Sequence, residues 1–149
     1  MTTLFIDADA CPVKDEAYRV AARYEVPVIV VANRWLRIPA SPAIRLQLVA
    51  GEPDAADNWI AGETTGSDVV VTADVPLADR VLKKGAQVVH PTGRPLTPDT
   101  IGSALASRSI GEHLRSIGAF TGGPKSFAAS DRSRFLQVLD AAIARARRR

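Results

Sequence analysis

The chain has 149 residues, 46% hydrophobic and 23% charged, an ordinary globular composition for one domain with a filled core, which excludes a disordered or fibrous class. Its formal net charge of +3 comes from one end, because Arg145, Arg147, Arg148 and Arg149 stand among the last residues and the rest of the chain is close to neutral. The longest apolar run, Val26–Ala32, is strand-sized, the opening segment meets an acid at Asp7 with no basic stretch before it, and a lone Cys11 excludes an internal disulfide. A bilayer span and a secretory signal are therefore not expected, and the reading is cytoplasmic, with no membrane partner.

Thr3–Asp7 reads as a first strand and Lys14–Tyr24 as a helix started by Pro12, with Ala17, Val20, Ala21 and Tyr24 at helical spacing. Pro27–Ala32 is a continuous apolar run rich in β-branched residues, as in a strand buried on both faces. Asn33–Pro42 is a loop, and Arg45–Val49 a short alternating strand suited to a sheet edge. Pro53–Gly62 follows as a helix opened by acids, Asp68–Thr72 as a buried strand, and Pro76–Lys84 as a helix stopped by Gly85. Gln87–His90 is a fifth strand, residues 91–98 are turn-rich, Asp99–Ser116 is a longer helix, and Ile117–Ser130 is a loop. A last helix, capped by Asp131, runs into a basic tail at about 144–149. This alternation predicts an α/β fold, a three-layer α/β/α sandwich on a mostly parallel five-stranded sheet spanning residues 1–149.

Ligands in such sheets sit beyond the carboxyl ends of the strands, where strand order reverses. Acids gather there. Asp7 ends the first strand with Asp9 just beyond it, Asp74 follows the fourth, and Asp54 and Asp57 share a face near a helix start. Carboxylates brought close raise one another's pKa, and a hard dication relieves the conflict. Asp9 as a helix cap, Asp54 and Asp57 as first-turn acids and Asp74 as a cap are the plain structural alternatives. No Ser-His-Asp pattern, histidine cluster or Gly-rich phosphate loop competes for a catalytic role.

Other residues are weaker candidates. Cys11 reads as a packing residue, His90 as a satisfied strand-end histidine and His113 as structural. Trp35, beside Arg34 and Arg37, could stack a base, but the preferred expectation is a loop tryptophan tucked against the sheet. Thr121–Ser126 could cradle an anion or serve as a connector.

The segment Ile6-Asp7-Ala8-Asp9-Ala10-Cys11-Pro12-Val13-Lys14 resembles the opening signature of the YaiI/YqxD family of bacterial proteins. The likeness continues through Val31–Asn33, Asp54–Ile60, Val70–Ala78, Thr121–Pro124 and Asp131–Phe135, nearly end to end. That family in turn resembles PIN-like domains, Mg²⁺- or Mn²⁺-dependent nucleases on an α/β/α sandwich, and Asp7, Asp57 and Asp74 match their acidic positions. The Cys-Pro-Val-Lys segment and the Gly-Gly-Pro loop depart from an ordinary PIN-like nuclease and leave a specialised substrate or lost activity open.

The resemblance implies a metal-dependent nuclease acting on nucleic acid, RNA before DNA, as a monomer or homodimer. Asp7, Asp57 and Asp74 would be catalytic, holding Mg²⁺ or Mn²⁺ with Asp9 and Asp54 as further ligands, and the ion would activate water. Lys14, Asn33, Thr72, Lys125, Arg132 and Arg134 are the expected substrate- and phosphate-binding residues. Two alternatives stand beside it. One is a haloacid-dehalogenase-like phosphatase with Asp7 as nucleophile and Lys83 or Lys84 in support. The other is a non-catalytic RNA- or nucleotide-binding module.

Overall fold

The computed structural model describes residues 1–9, 11–103, 105–106 and 127–148. In chain order its elements are β1 (Leu4–Asp7), α1 (Lys14–Arg23), β2 (Val28–Ala32), β3 (Ile44–Leu48), α2 (Ala55–Glu63), β4 (Val69–Val71), α3 (Val75–Leu82), β5 (Gln87–Val89), β6 (Pro95–Leu96) and α4 (Ala129–Arg147). A further helical stretch covers 101–103 and 105–106. The rest of the helix expected to Ser116, His113, and the loop segment with Thr121–Ser126 and Lys125 lie outside the described residues.

The six strands form one sheet in the order β3-β2-β1-β4-β5-β6. The chain winds outward from β1 through β2 to β3, then returns to the other side of β1 for β4 and β5, so the winding reverses between β1 and β4. All pairings are parallel except the last, where β6 runs antiparallel to β5. The short alternating strand β3 is at the edge, as expected.

Two expectations need correction. The sheet has six strands instead of five, because Pro95–Leu96 pairs with Val88 and Val89 inside the segment read as turns. A two-residue strand is too short to carry a periodic signal, and a proline, lacking an N–H, is tolerated at a sheet edge. The hairpin that allows it closes through Gly93 N–H to His90 O (2.8 Å) and His90 N–H to Arg94 O (3.0 Å). The last helix starts at Ala129, so Asp131 is not its cap; it lies in the first turn, and its Oδ2 accepts the Ala128 backbone N–H at 2.9 Å.

Strand alternation sends side chains to two helical layers. Leu4, Ile6, Val28, Val30, Val69 and Val71 meet Val20 of α1 and Phe135, Leu139 and Ile143 of α4 on one face. Phe5, Val31, Val70 and Val88 meet Ile60 of α2 and Leu77 and Val81 of α3 on the other. The result is the expected three-layer sandwich. Trp59 of α2 packs edge-on against Phe5, centroids 6.0 Å apart.

The basic end of α4 lies by the amino ends of the strands. Arg145 Nε bonds Gln87 Oε1, at the start of β5, at 3.4 Å, and the Arg147 guanidinium stands 5.5 Å from the ring centre of Tyr24, just before β2. No helix among the described residues is long and apolar enough to cross a membrane.

Gly93 has φ +86°, and a Cβ there would fall 2.6 Å from Arg134 C and Cγ and from Phe135 N. Gly93→Ala adds left-handed strain to a clash with the α4 backbone, for an expected loss of about 2–4 kcal/mol in urea denaturation. A loss below about 0.5 kcal/mol, the size of an ordinary surface change, would mean that α4 is not held against this turn.

Candidate active site

Asp7 has the parity of Phe5, so its side chain leaves β1 on the α2/α3 face, and it is only 9% exposed. Thr72 follows β4 with the parity of Val70 on that same face. Its Oγ1 donates to Asp7 Oδ2 at 2.9 Å and accepts the Asp74 backbone N–H at 3.0 Å. One buried hydroxyl thus ties the end of β1 to the loop entering α3. Asp74 is the N-cap of α3, its Oδ1 accepting the Leu77 N–H at 2.9 Å, with a proline in the first turn. Asp57 sits in the first turn of α2, one helix over in the same layer.

Each of these acids stands in the field of the others. Burial first, then the charges of Asp74 and Asp7, push the Asp57 carboxyl up to about 7. A hydrogen bond between Asp57 and Asp74 contributes, and two carboxyls can make one only when one of them holds a proton. Asp7 is also raised, by burial and then by Asp9 and Asp74, with the Thr72 hydrogen bond opposing. Asp9 and Asp54 are exposed at the rim, where each adds to the field on a neighbour. Neither caps a helix with its side chain.

As the side chains stand, no group of three or more His, Cys, Asp or Glu residues among the described residues is arranged to hold a metal ion. Oxygens of Asp7 and Asp74 are engaged by Thr72 and Leu77, and the Asp57 carboxyl is raised by burial and by the charges of Asp74 and Asp7. The donor chemistry fits a hard dication nonetheless. The conflict that protonates Asp57 is one that a cation among these carboxylates would relieve.

The expected phosphate-binding residues separate. Lys14 stands beside the carboxyl end of β1: its Nζ donates to Cys11 O at 2.9 Å, and it lines a hollow of about 310 Å³ with Ala8, Cys11 and Pro12. Arg132 reaches the same turn from α4, donating to Pro12 O (2.9 Å) and pairing with Glu16 (3.0 Å). Asn33 is exposed just past β2. Thr72 is 1% exposed and its hydroxyl serves the acids, so it holds the site together and does not face a substrate. Arg134 is not gathered with the acids; it pairs with Asp131 at 3.6 Å and packs by Gly93.

Cys11 is buried and burial raises its thiol pKa, which suits packing and not reactivity. His90 bonds Thr92 within its own turn (2.8 Å), and burial followed by Arg94 lowers its pKa, so it stays neutral. Lys83 and Lys84 do not support the phosphatase alternative. They follow the carboxyl end of α3, the helix that Asp74 begins, where Lys83 pairs with Asp79 and Lys84 donates to Ala61 O. Trp35 overturns its expectation: it is 72% exposed instead of tucked against the sheet. Its loop is anchored by Leu36 and Ile38, which pack on the α1-side core, and extended backbone then turns Trp35 and Arg37 outward. That two-residue alternation was present in the sequence.

The raised carboxyl has a consequence for stability. The fold keeps the Asp57 proton between pH 4 and 7, where the unfolded chain releases it, so stability falls as pH rises through that window and the loss is complete above about 7. Without divalent ions, Asp57→Asn is expected to raise Tm by about 2–4 °C at pH 8, with the gain vanishing at pH 4 or below. An equal gain at both pH values in a melting series would show that the carboxyl is not under charge stress.

Residues 5–145 match the family described as "Uncharacterized BCR, YaiI/YqxD family". The chain is 61% identical over 148 residues to a "UPF0178 protein" of Caulobacter sp. (strain K31), covering 99% of this chain and 98% of that protein. It is 52% identical to the "UPF0178 protein bll3966" of Bradyrhizobium diazoefficiens, covering 99% and 89%, and 50% identical to the "UPF0178 protein amb2838" of Paramagnetospirillum magneticum, covering 99% and 98%. No solved structure gives a significant match. The signature around Asp7 and the blocks holding Asp57 and Asp74 all fall inside the matched span, and the chain belongs to the YaiI/YqxD family.

Proposed function

We propose that this protein is a Mg²⁺- or Mn²⁺-dependent nuclease that hydrolyses phosphodiester bonds in RNA. The observation carrying this reading is the convergence of Asp7, Asp57 and Asp74 beside the β1/β4 reversal, where burial first and then the charges of Asp74 and Asp7 bring Asp57 to about 7. The resemblance to PIN-like domains, whose acids occupy corresponding places, supports it.

Asp7, Asp57 and Asp74 would hold the ion, with Asp9 and Asp54 at the rim. When bound, a dication of this kind polarises a phosphoryl group and lowers the pKa of water. Thr72 keeps Asp7 and the Asp74 loop in register, so the elements that carry these carboxylates stay together while the side chains turn to the ion. The starts of α2 and α3 direct their positive dipole ends at the acids and at any phosphate placed there. Lys14 and Asn33 stand beyond the carboxyl ends of the neighbouring strands β1 and β2 to orient the strand being cut.

Purified protein is expected to cleave end-labelled RNA with Mn²⁺, and Asp7→Ala to reduce the rate by more than about a hundredfold. Mn²⁺ is also expected to raise Tm at pH 8 in the wild type, through binding to the folded state alone, and not in Asp7→Asn. Cleavage that survives the Asp7 change would sink the assignment. A wild-type Tm indifferent to Mn²⁺ and Mg²⁺ would remove the metal.

A further inference from the structure

Outside the acids, the most distinctive surface lies where the 33–43 loop crosses the start of α1. A hollow of about 270 Å³ there is lined by Lys14, Asp15, Tyr18, Arg37, Ile38 and Pro39. Lys14 also lines the hollow at Ala8, Cys11 and Pro12, so the two hollows meet at Lys14, and Ala8 follows directly on Asp7 at the carboxyl end of β1. Trp35 stands in the same loop and is 72% exposed. Neither Arg34 nor Arg37 makes a hydrogen bond or ion pair with any other described residue, whereas Arg23 and Arg132 both do. Leu36 and Ile38 are seated in the core, so the aromatic and the cations are carried on an anchored strip of backbone.

An exposed indole, guanidinium groups without partners among the described residues and a half-buried tyrosine are the combination that holds single-stranded nucleic acid. The aromatic face takes a base and the cations take its phosphates. We infer that this hollow, together with the exposed Trp35 of the loop that borders it, is a binding subsite for single-stranded RNA flanking the bond to be cut, with Trp35 stacking a base and Arg37 and Lys14 contacting the adjoining phosphates. The inference rests on the nuclease reading for the direction of the strand, toward Asp7, but its binding chemistry is separate from the acids. Asp15 at the rim disfavours a bare anion and leaves stacking to supply the difference. A duplex, whose bases are already stacked, gains nothing from Trp35.

The test is binding of a fluorescein-labelled oligouridylate in EDTA at low salt, read by anisotropy and by quenching of indole emission. The wild type is expected to bind the single strand more tightly than a duplex of the same length, with quenching. Trp35→Ala should weaken binding about tenfold with the salt slope unchanged, and Trp35→Phe should restore most of it. Arg37→Ala should reduce the salt slope by about 0.7, the signature of one lost phosphate contact, which a merely structural role would not produce. Absence of wild-type binding, an unchanged affinity in Trp35→Ala, or equal displacement by poly-glutamate would overturn the subsite. Because no divalent ion is present, these results are independent of catalysis. Trp35-dependent binding with no cleavage would reject the nuclease alone, and Asp7-dependent cleavage with Trp35-independent binding would reject the subsite alone.

Discussion

Burial and like-charge repulsion act together on three carboxyls at the carboxyl end of this sheet, and the structure around them is built to offset both. Asp7, Asp57 and Asp74 are distant in sequence, and each arrives by an ordinary route: a strand end, a first helical turn and a helix cap. They meet because β1 alternation turns Asp7 toward the layer that α2 and α3 form. The fold accepts the arrangement through several local compensations. Thr72 donates to Asp7, the Leu77 N–H donates to Asp74, and Asp57 keeps a proton at a pH where an isolated aspartate would not. An acidic cluster relieved by protonation is equally open to relief by a cation.

Charge is divided along the strand axis. The acids occupy the carboxyl ends, while the basic end of α4 lies against the start of β5 and against Tyr24, in the turn between α1 and β2. The charge excess of the chain therefore lies at the far end of the strands from the candidate site. Cations that can act near the acids come from elsewhere: Lys14 at the start of α1, Arg132 at the start of α4, and Arg34 and Arg37 in the loop after β2. Lys14 and Arg132 also hold the carbonyls of the Cys11–Pro12 turn, so they stabilise the bend that follows Asp7.

That bend and the 33–43 loop form a single edge. The turn after β1 and the loop after β2 are neighbours because their strands pair in parallel, Asp7 opposite Val31. Parallel pairing places successive strand exits side by side, which is why an exposed tryptophan after β2 can be close to an acid after β1. Leu36 and Ile38 hold the loop to the core, giving a surface feature the support of buried contacts.

Much of this was legible in the amino-acid sequence. Strand and helix alternation, the continuous apolar run at Val28–Val31 and the alternating edge strand β3 have local periods that burial requires, so the layered architecture follows from pattern. Asp7 after an apolar strand and Asp74 before a proline are equally local signals, and both were readable as site candidates. The sixth strand was not, because Pro95–Leu96 is defined by its partner and not by a period. The role of Thr72 was not either, since only the adjacency of β1 and β4 brings its hydroxyl to Asp7. Nor could spacing reveal the proton on Asp57, which depends on burial and on two carboxylates supplied by other elements. Sequence by itself determined which groups carry charge and which faces are apolar. Only the tertiary structure decided which charges meet, because repulsion and desolvation depend on distances through space that chain separation does not encode.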